Sequence, residues 1–286
     1  MSAQKEQITI LWFKRDLRIE DHPALCHATQ LGYPILPLYV VEPALWMQSD
    51  YSGRQWEFTK ECLFDLRAQL GALGMPLVVR MGGTRKVLSE LATTFDVKHL
   101  VAHEETGTAW TFQRDLRVQA WCRENAIDFT ELPQSGVVRR LDTRDHWARA
   151  RDRFVDGVRL KFPKALKPID IDIGHIPDWA DLSGEPDRCP LRQHGGRRAA
   201  LTSLDKFWGN GIKTYRWAMS SPVTAPHACS RISPHLALGV MSIREVAQLS
   251  ALRSKSFSTP AKKGYASFQS RLAWRDHFIQ KLEDQP

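Results

Sequence analysis

Five short apolar runs alternate with helical patterns over residues 8–131, and this alternation restricts the fold more than any other feature. Each run has the length and the β-branched or aromatic content of a buried strand. Strands that are joined through helices run parallel, because each crossover returns the chain to the same end of the sheet. The runs are Ile8–Phe13, Ile35–Val41, Leu77–Met81, Val97–Ala102 and Ile127–Glu131. The sequence therefore predicts an α/β fold with a doubly wound, Rossmann-like parallel sheet.

The loop after the first run argues against nicotinamide chemistry. A dinucleotide fold of that class needs a glycine-rich turn here, so that the backbone can approach a pyrophosphate. The loop is instead Lys14–Asp21, KRDLRIED, which contains no glycine. Its charged side chains either contact a ligand at the mouth of the sheet or pair with their neighbours, and the sequence leaves both interpretations open.

The length of the chain predicts two domains. A chain of 286 residues with 43% apolar content can bury a sizeable core but is long for one compact domain. We expect an α/β domain over residues 1–133. Over residues 134–194 the periodicity fades and prolines are frequent, which predicts an interdomain linker that is helical around Arg144–Asp156. Helical spacing returns over residues 195–286, and an all-α domain is expected there.

The stretch Cys229–Val246 combines two helix starts with small hydroxyl side chains. Ser233 before Pro234 predicts an N-cap followed by the first helical residue, and Ser242 with Glu245 predicts a capping box. Free backbone N–H groups at the first start, beside Ser230 and Arg231, suit a phosphate or pyrophosphate. Two capped helices in succession are the plainer interpretation of the same residues.

A second helical segment, Ser267–Leu282, interleaves aromatic and guanidinium side chains. Phe268, Leu272, Arg275 and Ile279 fall on one helical stripe, and a second stripe contains Arg271, Trp274, Phe278 and Leu282. Exposed aromatic and basic groups together suit bases and phosphates. A tryptophan on a helix is otherwise an ordinary core residue.

The net charge of +8 is unevenly distributed. Residues 195–286 contain 14 Lys or Arg against 5 Asp or Glu, whereas residues 1–138 contain 14 against 17. A basic helical domain beside a near-neutral α/β domain fits a partner with a phosphate backbone, although solvated surface charge is the usual reason for any single run.

Several classes of protein are not expected from the composition. The five cysteines form no C-x-x-C pair, which favours reduced thiols over disulfides or zinc, so no metal site is predicted. No apolar run reaches membrane-spanning length, and the first residues lack the pattern of a signal peptide. We therefore expect a soluble, cytoplasmic protein that does not enter a membrane, whose oligomeric state the sequence leaves open.

Four stretches resemble the DNA photolyase and cryptochrome family. Cys229–Pro234 resembles its T-S-R-L-S-P stretch and Leu272–Phe278 its L-x-W-R-x-x-F stretch, which mark the flavin-binding helical domain. Trp12–Leu25 resembles the first strand and loop of the photolyase antenna domain, and His103–Asp115 resembles a cryptochrome-type loop. The resemblance covers residues 8–132 and 195–286, which is nearly everything outside the predicted linker.

The resemblance implies a cofactor, a partner and a set of site residues. It implies that FAD is bound by the helical domain and that an antenna chromophore of pterin, deazaflavin or flavin type is possible in the first domain. It implies damaged DNA as the partner, bound through the basic helical domain. The residues that match the family's flavin site are Tyr215, Cys229, Ser230, Arg231, Ile232, Ser233 and Phe268, and those that match its DNA-contacting positions are Arg271, Trp274 and Arg275.

The chain departs from the family pattern at several positions. Cys229 replaces a usual Thr, Phe268 replaces a frequent Trp, and Met219 falls close to a usual DNA-contacting Arg. Arg271 replaces a Glu that many photolyases place against the damaged bases, and a guanidinium cannot accept the hydrogen bonds that a carboxylate accepts. Family members also continue well beyond residue 286, so we expect either a fragment or a short relative with a truncated helical domain.

Three functions are compatible with these residues. The first is a light-driven DNA repair flavoprotein, in which excited reduced flavin passes an electron to a pyrimidine dimer flipped out of the duplex; as an enzyme it would be a carbon–carbon lyase. The second is a cryptochrome-type blue-light photoreceptor without repair activity, which Arg271 and the loop His103–Asp115 favour. The third is a truncated chain that binds no flavin.

Overall fold

The computed structural model describes residues 4–182, 187 and 189–285 and divides into two compact units. The first unit contains residues 1–132 and 160–196, and the second contains residues 133–159 and 197–286. The predicted linker is thus divided between the units, and its residues 183–186 and 188 lie outside the described part of the chain. No helix among the described residues is long and apolar enough to cross a membrane.

The first unit is built on a parallel sheet of five strands, which confirms the predicted α/β class. The strand order is β3-β2-β1-β4-β5, so that β1 is central and lies between β2 and β4. All residues of β2 and all but the first of β1 are buried, as near-continuous apolar runs require in a covered parallel sheet. The strands are β1 (Gln7–Phe13), β2 (Ile35–Val41), β3 (Val78–Met81), β4 (Asp96–His103) and β5 (Asp128–Leu132).

Helices connect successive strands, as the alternating pattern predicts. Helix α1 packs on the central strands and α5 packs on β5. The short helices α2 and α7 were not predicted, because four residues are too few to show a helical period. The helices of this unit are α1 (Pro23–Gln30), α2 (Pro43–Trp46), α3 (Gly53–Ala72), α4 (Thr84–Thr94), α5 (Ala109–Glu124) and α7 (Trp179–Leu182).

Residues 160–174 return to the sheet and run along its β3 edge. The Leu166 N–H donates to the Leu73 carbonyl at 2.6 Å, and the Val79 N–H donates to the Ile173 carbonyl at 2.9 Å. Gly174 has φ 67°, and a Cβ there would lie 2.1 Å from the Val79 carbonyl oxygen. This segment therefore supplies a hydrogen-bond partner to an edge strand that would otherwise be open.

The second unit consists of helices. The longest is α13, which begins eight residues before the predicted start at Ser267. Its buried face contains Gly264, Phe268 and Leu272, and α9 packs along it. The elements of this unit are α6 (Trp147–Asp156), α8 (Arg197–Lys206), a π-helical turn (Phe207–Gly211), α9 (Ile212–Ala218), α10 (Ala225–Ala228), α11 (Ser233–Ala237), α12 (Ile243–Ser254) and α13 (Thr259–Asp284).

Within the second unit, residues 133–159 pack against α13. The Arg151 Nε donates to the fully buried Asp276 carboxylate at 3.0 Å, and the Arg144 Nε donates to Asp284 at 2.7 Å. Gln280 exchanges two hydrogen bonds with the Val138 backbone, at 2.8 and 2.9 Å. These bonds fix α13 against the segment that contains α6.

Candidate functional site

The carboxyl ends of β1, β2, β4 and β5 carry a buried cluster of charges. In such sheets, ligands bind outside these ends at the point where the strand order reverses, here between β1 and β4. Arg114 of α5 lies at the centre of the cluster and pairs with Glu105 at 2.6 Å, with Asp115 at 2.8 Å and with Glu42 at 3.3 Å. The Lys14 ammonium pairs with Asp115 at 2.8 Å.

Electrostatics within this cluster are governed by burial and by Arg114. Burial raises the pKa of Glu42, and the nearby Arg114 guanidinium opposes the rise. Arg114 and Lys14 also lie over the Trp12 ring, at 5.0 and 4.7 Å from its centroid. The cluster therefore anchors the loops at this edge of the sheet. Of the two interpretations left open for the charged loop after β1, the structure shows for Lys14 that its side chain pairs with neighbouring residues.

Asp16 forms a second buried group with two histidines at the same edge. Its Oδ2 accepts from His103 Nδ1 at 2.7 Å, and His22 Nε2 lies 3.1 Å from the same oxygen. The other imidazole nitrogens accept backbone N–H groups of α1: His22 Nδ1 from Leu25 at 2.9 Å and His103 Nε2 from Ala24 at 3.3 Å. Each imidazole is therefore neutral, with its single proton directed at Asp16.

Three potential metal ligands lie together in this group, within 4.8 Å of one another. A metal ion between them would have to replace both imidazole protons, while the remaining nitrogens already accept backbone N–H groups. Neutral metal-bound histidine needs a proton on its second nitrogen. The hydrogen-bond pattern thus fits a structural group that holds the loop after β1 on the start of α1.

Acid is expected to destabilise this group. Burial lowers the pKa of His103 from 6.5 to about 3, and burial also lowers the pKa of His22. Because the unfolded chain then binds protons more readily than the folded chain, stability is lost as the pH falls below about 6.5 towards 3. Measured free energies of unfolding should therefore decrease from about pH 7 to about pH 4.

A matched pair of variants checks this expectation. His22→Asn keeps an oxygen that can accept the Leu25 N–H but does not titrate, so its stability should depend less on pH than that of the wild type. His27→Asn changes a half-buried histidine of α1 that does not belong to the group of Asp16, His22 and His103. This variant should keep the pH profile of the wild type. Equal pH dependence in all three proteins would contradict the assignment.

In the second unit, the loop Cys229–Ile232 turns the chain sharply between α10 and α11. Arg231 adopts a left-handed conformation, φ 56°, and Ile232 then returns to the right-handed region with φ −83° and ψ −11°. Successive residues of opposite hand direct their N–H groups towards one point, the geometry of an anion-binding nest. A left-handed arginine is also costly, and such strain concentrates at ligand sites.

One capping prediction in this region is wrong and the other is confirmed. Helix α11 begins at Ser233 rather than after it, and its N-cap is Ile232, because the first helical hydrogen bond joins the Leu236 N–H to the Ile232 carbonyl at 3.0 Å. Ser242 is the N-cap of α12 as predicted, with its hydroxyl accepting the Glu245 N–H at 2.9 Å. Ser233 is exposed and Ser230 is 9% exposed.

Three aromatic rings pack together in the same unit. The Phe207 ring centroid lies 4.9 Å from that of Phe268 and 5.3 Å from that of Tyr215. Burial raises the pKa of Tyr215, the nearby Cys229 thiol adds to the rise, and Arg271 opposes it. Tyr215 therefore lies between the loop Cys229–Ile232 and α13. Phe268, at 2% exposure, is a core residue of this group of three aromatic rings.

The predicted DNA-contacting residues lie in two environments. Arg271 and Trp274 are exposed on α13, with the guanidinium 4.3 Å above the indole ring. Arg275 is turned inwards: it donates to the Leu236 carbonyl at 3.1 Å and to Asp276 at 3.3 Å. Two of the three side chains are thus presented to solvent, and the third holds α11 on α13.

Sequence reasoning missed two features of the site. The π-helical turn at Phe207–Gly211, which lies between α8 and α9, was not predicted from the helical spacing of residues 195–286. Turns of this kind are frequent at functional sites, and the two glycines of FWGNG were the available signal. The left-handed Arg231 had no signal, since arginine is not a residue type that favours that conformation.

Comparisons with known proteins agree with this architecture. A family model described as DNA photolyase matches residues 9–149. A cryptochrome DASH of Arabidopsis thaliana is 26% identical over 95% of this chain and 51% of its own length. A deoxyribodipyrimidine photo-lyase of Vibrio cholerae is 23% identical over 97% of this chain and 62% of its own.

A solved structure has the same fold. It is an archaeal photolyase from Sulfolobus tokodaii with two FAD molecules, and it aligns with a TM-score of 0.74 at 22% identity, over 98% of this chain and 60% of that one. The chain thus spans about half to three fifths of the length of these three proteins.

The fold and the site define a class of two-unit protein, in which one chain contains a doubly wound α/β unit and a helical unit. The helical unit carries the strained loop Cys229–Ile232, which has the geometry of an anion-binding nest. The DNA photolyase model matches residues 9–149, and the relatives that match nearly the whole chain include a cryptochrome and a photolyase. These matches confirm the resemblance of the chain to the DNA photolyase and cryptochrome family.

Proposed function

We propose that this chain contributes the phosphate-binding part of a flavin site, in a light-driven flavoprotein of the photolyase type. The alternation of hand at Arg231 and Ile232 carries the proposal, because it creates N–H groups that converge on an anion. FAD contains a diphosphate that such a loop can bind. Ser230 and Ser233 would add hydroxyl donors, and Tyr215 would approach from α9.

The other site residues have supporting roles in this proposal. Cys229 keeps a thiol, since burial raises its pKa against the effect of Arg231, so it would contribute its small size rather than a charge. Ile232, at 3% exposure, anchors the loop in the core. Phe268 supports Tyr215 from behind. Bound FAD would supply the photochemistry, which these residues do not perform.

DNA is the proposed partner of the helical unit. Trp274 is 52% exposed and offers an aromatic face to a base outside the stack, and the adjacent Arg271 offers a positive charge to phosphate. Because Arg275 is held by Leu236 and Asp276, its part in DNA binding would be to position α13.

An antenna chromophore in the α/β unit is a second part of the proposal. Asp16, His22 and His103 are at most 1% exposed and fill the crevice between the ends of β1 and β4. A chromophore would therefore have to lie outside them, near the half-buried Arg15 and Tyr51. The Sulfolobus tokodaii photolyase, which contains two FAD molecules and implies a novel light-harvesting cofactor, supports this proposal.

Repair and photosensing lead to different results in one assay. The full translation product of the gene, supplied with FAD and a reductant, is illuminated with blue light in the presence of an oligonucleotide that contains a pyrimidine dimer. Loss of dimers that needs both light and FAD is the expected result for a repair enzyme. Bound flavin with persistent dimers would instead support the photoreceptor, the alternative that Arg271 favours.

If Arg271 limits repair by replacing an acceptor, Arg271→Glu should increase the rate of dimer loss. Arg253→Glu, an exposed arginine on α12, controls for the change in charge. If none of these proteins removed dimers and none contained bound flavin, the proposed function would be contradicted.

A further inference from the structure

The helical unit contains a long stretch that is almost free of acidic residues. Between Asp205 and Asp276 there is one carboxylate, Glu245, against eleven Lys or Arg residues. Glu245 is 2% exposed and pairs with Arg197 at 3.0 Å, so it does not neutralise the surface. Most of the cations on α9, α12 and the first half of α13 therefore face solvent without a nearby acidic residue in the sequence.

Four of these cations are concentrated where α9 crosses α13. The two backbones touch there: a Cβ on Gly264 would lie 1.8 Å from the Ile212 carbonyl oxygen. Because the helices meet at these two residues, their neighbours in sequence lie around the same point. Within the described part of the chain, each of the four side chains is exposed and none pairs with a carboxylate. These residues, called the crossing cluster, are Lys213, Arg216, Lys262 and Lys263.

The exposed face of α13 extends the crossing cluster towards the predicted DNA-contacting residues. Lys263, Ser267, Arg271 and Trp274 follow one another at spacings of four, four and three residues and therefore lie on one side of the helix. At 1.5 Å per residue they span roughly 16 Å, the axial rise of about five nucleotides in one DNA strand.

We propose that the crossing cluster binds the phosphate backbone of DNA, as a contact surface additional to Arg271 and Trp274. This inference rests on the proposed DNA-related function. Lysine is a point charge without a fixed hydrogen-bonding plane, which suits contacts to phosphates and not to particular bases. The exposed Trp217 beside Arg216, at 63% exposure, adds an aromatic surface next to the charges.

The test is the salt dependence of binding to a labelled, undamaged duplex of about 20 base pairs. Each lost phosphate contact should reduce the slope of log K against log salt by about 0.9. The variant Lys213→Gln, Arg216→Gln, Lys262→Gln, Lys263→Gln is therefore expected to reduce it by about 3 to 4 and to weaken binding at low salt at least about 100-fold.

A control variant removes the same charge from the α/β unit. It carries Lys86→Gln, Arg117→Gln, Arg123→Gln and Lys164→Gln, all at exposed positions. Its slope of log K against log salt should differ from that of the wild type by no more than about 0.9, the effect of one phosphate contact. Thermal melting of each protein checks that it is folded.

Three results would overturn the proposal: an unchanged slope in the crossing-cluster variant, an equal loss in the control variant, or binding to vesicles of anionic lipid but not to DNA. If Arg271→Gln alone abolished DNA binding, the crossing cluster would be rejected while the proposed DNA-related function would stand. Flavin binding is measured separately, so that its failure is distinguishable from these results.

Discussion

Replacing Arg114 with methionine is expected to lower the free energy of unfolding by about 3 to 5 kcal/mol, the usual cost of removing one partner from a buried ion pair. The guanidinium pairs with Glu42, Glu105 and Asp115, and the side chains of all four residues are at most 11% exposed. Methionine fills similar space but leaves these carboxylates with less compensation for burial.

Arg117→Met provides the matched control, since Arg117 lies one turn further along α5 and is exposed. It should change the free energy of unfolding by no more than about 0.5 kcal/mol. Urea unfolding followed by tryptophan fluorescence measures both variants. An Arg114→Met protein as stable as the control would show that the cluster is not needed to hold the edge of the sheet together.

The second large effect is expected at the loop Cys229–Ser233. A hydrogen bond to a charged oxygen contributes about 1.5 to 3 kcal/mol. Removing two hydroxyl donors with Ser230→Ala and Ser233→Ala should therefore weaken FAD binding about 100-fold to 10000-fold. Because Ser233 is not the N-cap of α11, the loss should reflect the ligand rather than the helix.

Equilibrium dialysis against FAD measures the effect in the full translation product of the gene. Ser254→Ala with Ser256→Ala is the control pair: both hydroxyls donate to carbonyls at the end of α12. Their loss should leave FAD binding unchanged. Unchanged FAD binding in the Ser230 and Ser233 variant would show that these hydroxyls do not contact the cofactor.

The sheet was predictable because its information is local. Ile8–Phe13 and Ile35–Val41 are apolar runs of strand length, and their parallel arrangement follows from the helices between them. The early start of α13 was missed because its first turns are largely polar or small, so the apolar period becomes visible only from Phe268 onwards.

The candidate site was only partly predictable. The helix start at Ser242 has a local signature, and the structure confirms it. The ion pairs of Arg114 with Glu42 and of Arg151 with Asp276 join residues 72 and 125 positions apart, and only the tertiary fold brings such partners together. The direction of Arg275 was equally hidden, because helical spacing does not show that Leu236 and Asp276 bind its guanidinium.

The proposed flavin site is tested most directly by titrating the isotopically labelled chain with FAD and following the backbone amide resonances. We expect the largest shifts at Ser230, Arg231 and Ile232, with smaller shifts at Tyr215, even if the affinity is low. The same titration of the Ser230→Ala, Ser233→Ala variant should show these shifts strongly reduced. Shifts confined to the α/β unit, or none at the loop Cys229–Ser233 at millimolar FAD, would contradict the proposal that this loop binds the diphosphate.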